Sequence, residues 1–309
     1  MILAPVGISV YTRINLFKQC INALQRNTLS EESELYIYSD AASKKEDENL
    51  VMNIRDFIHS ITGFKKISII ERERNYGVKN GFYAFKEITA KFKKSIFLED
   101  DIVTAPGFLT FMNQALEFYK DDDKILSIAG YSPPINLPQE YENDIYILPR
   151  YNGWGTGVWK SMLTGPLNII EKKKIMGIKN KEKIFTAGGE DVLNMIELEI
   201  NGKLNAGDVK IIYYQALNDK YTLYPKKSLT QNIGFDGSGF HCGTNDKYNV
   251  ELWDRVDGFE FIKDIQPDKR IIKENRKFYR IGVKGKIMKL TKQIGLYPYL
   301  KKINDSIQK

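Results

Sequence analysis

Between Pro5 and Leu98 the chain repeats one unit: a short β-rich apolar run followed by a segment whose apolar residues recur at helical spacing. Pro5–Tyr11 (PVGISVY) is the first such run, and Ile14–Arg26 follows with Leu16, Phe17, Cys20, Ile21 and Leu24 on one helical face. Leu35–Tyr38 is the second run, ending at Ser39-Asp40, and the helix after it covers about 45–62 with Ile54, Phe57, Ile58 and Ile61 inward. His59 falls off that stripe, as an exposed helix residue does. Ile67–Ile70 is the third run, and a polar loop, Arg72–Gly81 (RERNYGVKNG), leads into a helical pattern over Val78–Phe92. Ser95–Leu98 is the fourth. Strands separated by helices of this length need right-handed crossovers, which predicts a doubly wound, mostly parallel α/β sheet flanked by helices.

The fourth run does not end like the others. Its apolar residues lead directly into Glu99-Asp100-Asp101, then Ala105-Pro106 and a helical stretch over 107–119. In an open α/β sheet the carboxyl ends of the strands form the rim where ligands bind. Three adjacent acids there repel one another unless a cation or a hydrogen-bond donor neutralises them. Hard oxygen ligands of this kind suit Mn2+ or Mg2+. A solvated acidic loop is the competing reading of the same three residues.

Beyond residue 119 the pattern predicts strands at Lys124–Ala129 and Ile145–Leu148, with a proline-containing loop over Ser132–Tyr141. Tyr151–Trp159 (YNGWGTGVW) sets three glycines around two tryptophans. It reads either as close backbone approach to a ligand, with Trp154 and Gly155 as acceptor-binding candidates, or as a tight turn under a packed tryptophan. Gly188-Gly189-Glu190-Asp191 opens a helix to Ile200, Val209–Tyr214 (VKIIYY) reads as a strand, and Pro225–Gly243 as a long irregular loop. The domain division that follows is 1–262, with halves 1–130 and 131–262, and a basic extension over 263–309.

Several function classes lack their signatures. No GxxxxGK[ST] loop is present, and GxGxxG does not follow the first strand, which disfavours NTPases and Rossmann dehydrogenases. There is no GxSxG, HExxH or CxxC, and only two histidines. Cys20 and Cys242 form no disulfide framework, and Cys20 lies on an apolar helix face as a core residue does. No apolar run approaches the roughly 20 residues of a membrane span, and the N-terminus carries no basic leader, so a cytoplasmic protein is expected. The net charge of +7 is unevenly spread, with +11 over 269–309 and −4 over the rest.

Leu98–Met112 (LEDDIVTAPGFLTFM) resembles the metal-binding strand–loop–helix of GT-A fold, nucleotide-sugar-dependent glycosyltransferases. It is most similar to the N-acetylglucosaminyltransferase I family, and the loop Arg72–Asn80 resembles the donor-binding loop of family-2 enzymes. The resemblance implies a UDP-sugar donor, a Mn2+ or Mg2+ cofactor and inverting transfer, with GlcNAc a candidate sugar and a lipid-linked glycan precursor a candidate acceptor. It also implies roles for particular residues. Thr12 and Arg13 would contact the nucleotide, Asp40 the uracil or ribose, and Glu99 and Asp100 the ribose or donor sugar. Asp101 would be the metal ligand, with Asn75 and Lys79 as further donor contacts and Ser238 and Lys226 weaker ones. Asp191 would be the general base with Glu190 beside it, and His241 a late metal ligand. GWGTGVWK departs from the transferase I pattern.

Each of these roles has a structural alternative. Acids in a helix's first turn complement its dipole by roughly 0.3–1 kcal/mol, which is reason enough for Glu190 and Asp191 to stand there. A lone histidine such as His241 is commonly structural. The basic, partly amphipathic stretch Arg276–Leu300 fits an anionic membrane surface or a helix packed on the domain, and no motif in it supports nucleic-acid binding. A sugar-phosphate nucleotidyltransferase and a non-enzymatic, basic-tailed membrane or nucleic-acid binding protein are the rival functions.

Overall fold

The computed structural model describes residues 1–165, 181–204, 206–235, 237 and 246–280. Its strands are β1 (Val6–Val10), β2 (Glu34–Ser39), β3 (Lys66–Glu71), β4 (Lys94–Glu99), β5 (Ile102–Thr104), β6 (Ile125–Ala129), β7 (Ile145–Leu148), β8 (Thr156–Trp159), β9 (Tyr221–Pro225) and β10 (Thr230–Asn232). The helices are α1 (Ile14–Gln25), α2 (Glu48–Ser60), α3 (Asn80–Lys91), α4 (Phe108–Phe118), α5 (Lys181–Thr186), α6 (Val192–Ile200), α7 (Gly207–Asn218) and α8 (Lys269–Phe278).

Eight strands form one sheet in the order β3-β2-β1-β4-β8-β6-β9-β7, and β10 pairs with β5 beside it. The pairs β2–β3, β1–β2, β1–β4 and β6–β9 are parallel, whereas β4–β8, β6–β8 and β7–β9 are antiparallel. The sheet is therefore mixed and mostly parallel. Strand order reverses between β1 and β4, and Ser9 lies beside Glu99 in register. Such a reversal opens a crevice at the carboxyl ends of the strands. Arg13, shortly after β1, and the three acids at the end of β4 flank it.

Both faces of the sheet are covered, as strands this apolar require. Val6, Ile8, Val10, Leu35 and Ile37 pack with Phe17, Ile21 and Leu24 of α1, Ile54 and Ile58 of α2, and Phe108 and Phe111 of α4. Tyr36 and Tyr38, pointing the opposite way along β2, pack with Ala84, Phe85 and Ile88 of α3 and with residues of α6 and α7. Gly7 lets α3 approach: a Cβ there would stand 3.0 Å from Ile88 Cδ1. Each large apolar side chain buried this way contributes about 1.5–3 kcal/mol.

Three expectations change in the second half. Val209–Tyr214 is not a strand but part of α7, which buries Val209, Ile212 and Gln215 at a spacing of three. The β-branched run suggested a strand, and tertiary packing against α3 and α6 overrides that propensity. Thr156–Trp159, inside the glycine–tryptophan segment, is strand β8 and fills the gap between β4 and β6. The irregular stretch expected from Pro225 contains β10, antiparallel to β5, and is preceded by β9.

Helix α8 lies within the predicted extension and docks on the domain. Ile271 joins Ala129, Tyr146, Leu148 and Tyr224, and Asn275 Nδ2 donates to the Gly188 carbonyl at 3.1 Å. The basic residues 281–309 lie outside the described residues. Among the described residues no helix is long and apolar enough to cross a membrane.

Candidate active site

The centre of the crevice is an ion triad. Arg13, capping the start of α1, directs Nη2 to Asp100 Oδ1, in a short contact, and to Asp101 Oδ2 at 2.9 Å. Asp100 and Asp101 are almost fully buried, at 5% and 4% exposure. Burial opposes the charge on Arg13, but the two carboxylates outweigh it and raise the guanidinium's pKa. Burial also lifts Asp100, which Arg13 pulls back, leaving it at about 6. Gly234, just past β10, closes the other side of the triad: a Cβ there would lie 2.1 Å from Asp101 Oδ2. Beneath it, the buried Cys20 directs its thiol at the Glu99 carbonyl, and burial pushes that thiol's pKa well up. Cys20 is a core residue.

Glu99 differs from its two neighbours. Its side chain is exposed, whereas those of Asp100 and Asp101 are buried. Desolvation by the surrounding protein first, and then Asp101, Asp208 and Asp100, raise its pKa against the pull of Arg13. Asp208, in the first turn of α7, is also exposed, and desolvation by the surrounding protein lifts it to about 6 despite Arg150. Its carboxylate lies 3.4 Å from the position of a Cβ on Gly153. Asp208 was missed by sequence reasoning because the segment that carries it was read as leading into a strand. A Gly-Asp step before Val209-x-x-Ile212 at helical spacing was the available signal.

Asp40, at the end of β2, is buried and organises the loop after β3. It accepts from the backbone N–H of Tyr76 at 2.9 Å and Gly77 at 2.9 Å, and from Asn75 Nδ2 at 3.3 Å. Asn75 in turn donates to the Ala41 carbonyl at 2.6 Å. Lys79 stands exposed in the 3-10 turn of that loop. Thr12 accepts through its carbonyl from Ile14 N–H at 3.0 Å, closing the turn that delivers Arg13 to the crevice.

Asp191 is held by Arg150 in a bidentate pair, Nη1–Oδ1 at 2.9 Å and Nη2–Oδ2 at 3.0 Å. Arg150 also donates to the Gly188 carbonyl at 3.0 Å and stacks over Tyr279 with its centre 3.5 Å from the ring centroid. Gly188-Gly189 makes this possible. Gly189 has φ +140°, and a Cβ there would lie 2.6 Å from Arg150 Nη1 and 2.9 Å from Tyr279 Cβ. The two glycines relieve crowding against protein groups: the Pro149 carbonyl at Gly188, and Arg150, Asp191 and Tyr279 at Gly189. Glu190 lies 3.8 Å from Arg280 Nε. Arg150 was also missed, since nothing near a lone arginine after a strand marks it as an ion-pair partner.

The glycine–tryptophan segment is a tight turn under a packed ring. Gly155 has φ +80°, donates to the Gly153 carbonyl at 2.9 Å and accepts from Gly130 at 2.6 Å. Trp154 packs edge-on against Tyr131, Phe235 and Tyr248, with centroids 4.8–5.5 Å apart. Lys226 donates to the Tyr141 carbonyl, holding a loop rather than reaching the triad. His59 meets Glu71 at 3.0 Å on the surface. His241, Cys242 and Ser238 lie outside the described residues.

Among the described residues no group of three or more His, Cys, Asp or Glu side chains is arranged to hold a metal. Two carboxylate oxygens, however, converge on one atom of Arg13. Mg2+ typically takes one or two protein carboxylates and completes its shell with waters and substrate phosphates. Asp100 and Asp101 fit that minimal donor set.

No protein-family profile and no curated protein matches the chain. Among solved structures it is similar to S. aureus TarS 1-349, with 10% identity over 74% of this chain and 59% of that one and a TM-score of 0.42. It is similar to GalNAc-T7 with UDP, GalNAc and Mn2+, with 11% identity over 72% of this chain and 42% of that one and a TM-score of 0.44. It is also similar to the mannosyltransferase PcManGT from Pyrobaculum calidifontis in complex with GDP-Man and Mn2+, with 11% identity over 69% and 68% of the two chains and a TM-score of 0.38. The matched region spans less than two-thirds of TarS 1-349 and of GalNAc-T7.

Proposed function

We propose that the chain is a metal-dependent, inverting GT-A glycosyltransferase. It would move a sugar, with GlcNAc a candidate, from a UDP-sugar to a hydroxyl of a glycan acceptor. The observation that carries this reading is the pairing, at the strand-order reversal, of two buried carboxylates on one arginine beside a solvent-reaching third acid. That arrangement offers a cation position, a diphosphate partner and a polar floor for a sugar within one crevice. The sequence resemblance over Leu98–Met112 supplies the donor class.

Asp101, with Asp100, would hold Mn2+ or Mg2+, which when bound supplies charge neutralisation for the leaving diphosphate. Arg13 is placed to donate to diphosphate oxygens, and its planar fork suits them. Glu99, exposed at the end of β4, would hydrogen-bond a hydroxyl of the ribose or donor sugar. The Asp40-ordered loop, with Asn75 and Lys79, flanks the nucleotide side. In direct displacement the acceptor oxygen bonds to the anomeric carbon, the bond from that carbon to the diphosphate breaks, and the hydroxyl proton passes to a carboxylate. Asp191, positioned by Arg150, is the proposed base, worth about 10²–10⁴-fold in rate.

One observation favours a second base. Both oxygens of Asp191 already accept from Arg150, whereas Asp208 is exposed in the first turn of α7 and acts electrostatically on Glu99. The acceptor is proposed to be a lipid-linked surface-polysaccharide precursor. The basic segment, +11 over 269–309, suits an anionic membrane surface, where such an acceptor resides.

Thermal-shift titration with nucleotide sugars, with and without Mn2+, tests the reading. A ligand at 100 times its Kd adds about 2.7 kcal/mol to stability. A metal-dependent rise with a UDP-sugar that Asp101→Ala abolishes is expected. No shift with any nucleotide sugar, while sugar phosphate and a nucleoside triphosphate release pyrophosphate, would favour the nucleotidyltransferase.

A further inference from the structure

The triad places a side-chain cation where a divalent ion is expected. Nη2 of Arg13 is the single atom on which Asp100 Oδ1 and Asp101 Oδ2 converge. Asp101 has little room to turn away, because Gly234 lies against its Oδ2 and Arg13 Nη1 lies 3.0 Å from the same glycine's Cβ position. The two carboxylates are buried, whereas the Arg13 side chain keeps 24% of its surface in solvent and is the partner that a ligand from solvent can reach.

We infer that Arg13 is a resident counterion that competes with the divalent metal, so that metal and a diphosphate-bearing ligand bind as a coupled pair. With Arg13 on the two acids, an incoming dication meets a like charge at the position where its ligands converge. A diphosphate resolves the conflict. Its oxygens take the guanidinium fork, which binds phosphate bidentately, and its remaining oxygens complete the metal's shell. The linkage is reciprocal: metal tightens nucleotide by the same factor that nucleotide tightens metal. The inference rests on the proposed function for the divalent metal and for the identity of the diphosphate. The occupation of the two carboxylates by Arg13 is a property of the triad alone, so Mn2+ titration without nucleotide tests it separately.

The experiment measures Mn2+ affinity of the full chain from the free-ion electron paramagnetic resonance signal, without turnover. Mn2+ alone is titrated into the native protein, Arg13→Gln and Arg13→Lys, and each series is repeated with UDP. Arg13→Gln is expected to bind Mn2+ alone at least about tenfold more tightly than the native protein, the change expected when one unit of like charge is removed near the ion. UDP is expected to tighten Mn2+ in the native protein and to have a smaller effect in Arg13→Gln. Arg13→Lys retains the charge on a shorter reach and is expected to fall between the two, so it decides the matter if the glutamine variant does not fold. Equal Mn2+ affinity in native protein and variants overturns the inference, as does the absence of Mn2+ binding from all three. If UDP leaves every titration unchanged while Arg13→Gln still binds Mn2+ more tightly, the counterion stands and the nucleotide reading fails.

Discussion

Gly234→Ala probes the triad through a single methyl group. Its Cβ would lie 2.1 Å from Asp101 Oδ2, 2.9 Å from Asp101 Cγ and 3.0 Å from Arg13 Nη1. Gly234 has an ordinary φ, so the whole effect is steric. The carboxylate has to retreat by about 1 Å to restore van der Waals contact, and retreat disturbs its bond to Arg13. Overpacking of this kind costs about 1–3 kcal/mol. In a chain of this size that lowers Tm by roughly 2–5 °C. Urea unfolding of four proteins tests the origin of the cost: native, Gly234→Ala, Asp101→Ala and the double variant. Asp101→Ala removes the atoms that the new methyl strikes, so Gly234→Ala is expected to cost less than about 0.5 kcal/mol in that background. An equal cost in both backgrounds would refute the claim that Gly234 acts through Asp101.

Three further outcomes follow from other parts of the crevice. Asp208→Asn is expected to raise Tm above neutrality: the fold lifts this carboxyl to about 6, so the folded state disfavours its charge. The sign follows from linkage, since the native protein gains stability as pH falls through about 6 and the variant's advantage shrinks towards zero; an advantage that grows on acidification would contradict it. For the base, Asp191→Asn and Asp208→Asn are compared in transfer and donor-binding assays. The variant that loses about 10²–10⁴-fold in transfer while donor affinity holds identifies the proton acceptor, and full transfer in both removes the proposal. Gly155→Ala combines φ +80° with a Cβ 2.8 Å from Thr230 Cγ2 and is expected to cost about 2–4 kcal/mol in chemical denaturation.

The N-terminal half was legible because periodicity and burial agree there. Each run from Val6 to Leu98 that alternates with a helical face became a parallel strand, and α1, α2 and α3 lie where their apolar stripes place them. The acids after β4 were legible for the same reason, since a strand's end is fixed by the strand. Beyond Ala129 local chemistry and tertiary packing diverge. Val209–Tyr214 has β-branched residues in a helix, and Thr156–Trp159 becomes a strand only because β4 and β6 leave a gap for it. The ion pairs were not legible at all. The contact of Arg13 with Asp100 and Asp101, 87 residues away for the first of them, has no signature in the sequence around it, and Asp191 was weighed without Arg150, 41 residues away. Pairings of that kind depend on topology rather than on neighbours in the chain.

The central claim is most directly tested by turnover of a UDP-sugar. Release of UDP is followed with Mn2+ present, after removal of metal with a chelator and after its return, in native protein and Asp101→Ala. The account predicts release that stops on chelation, recovers with Mn2+ and is lost in Asp101→Ala while the variant remains folded. Undiminished release by Asp101→Ala, or release indifferent to the chelator, would contradict it.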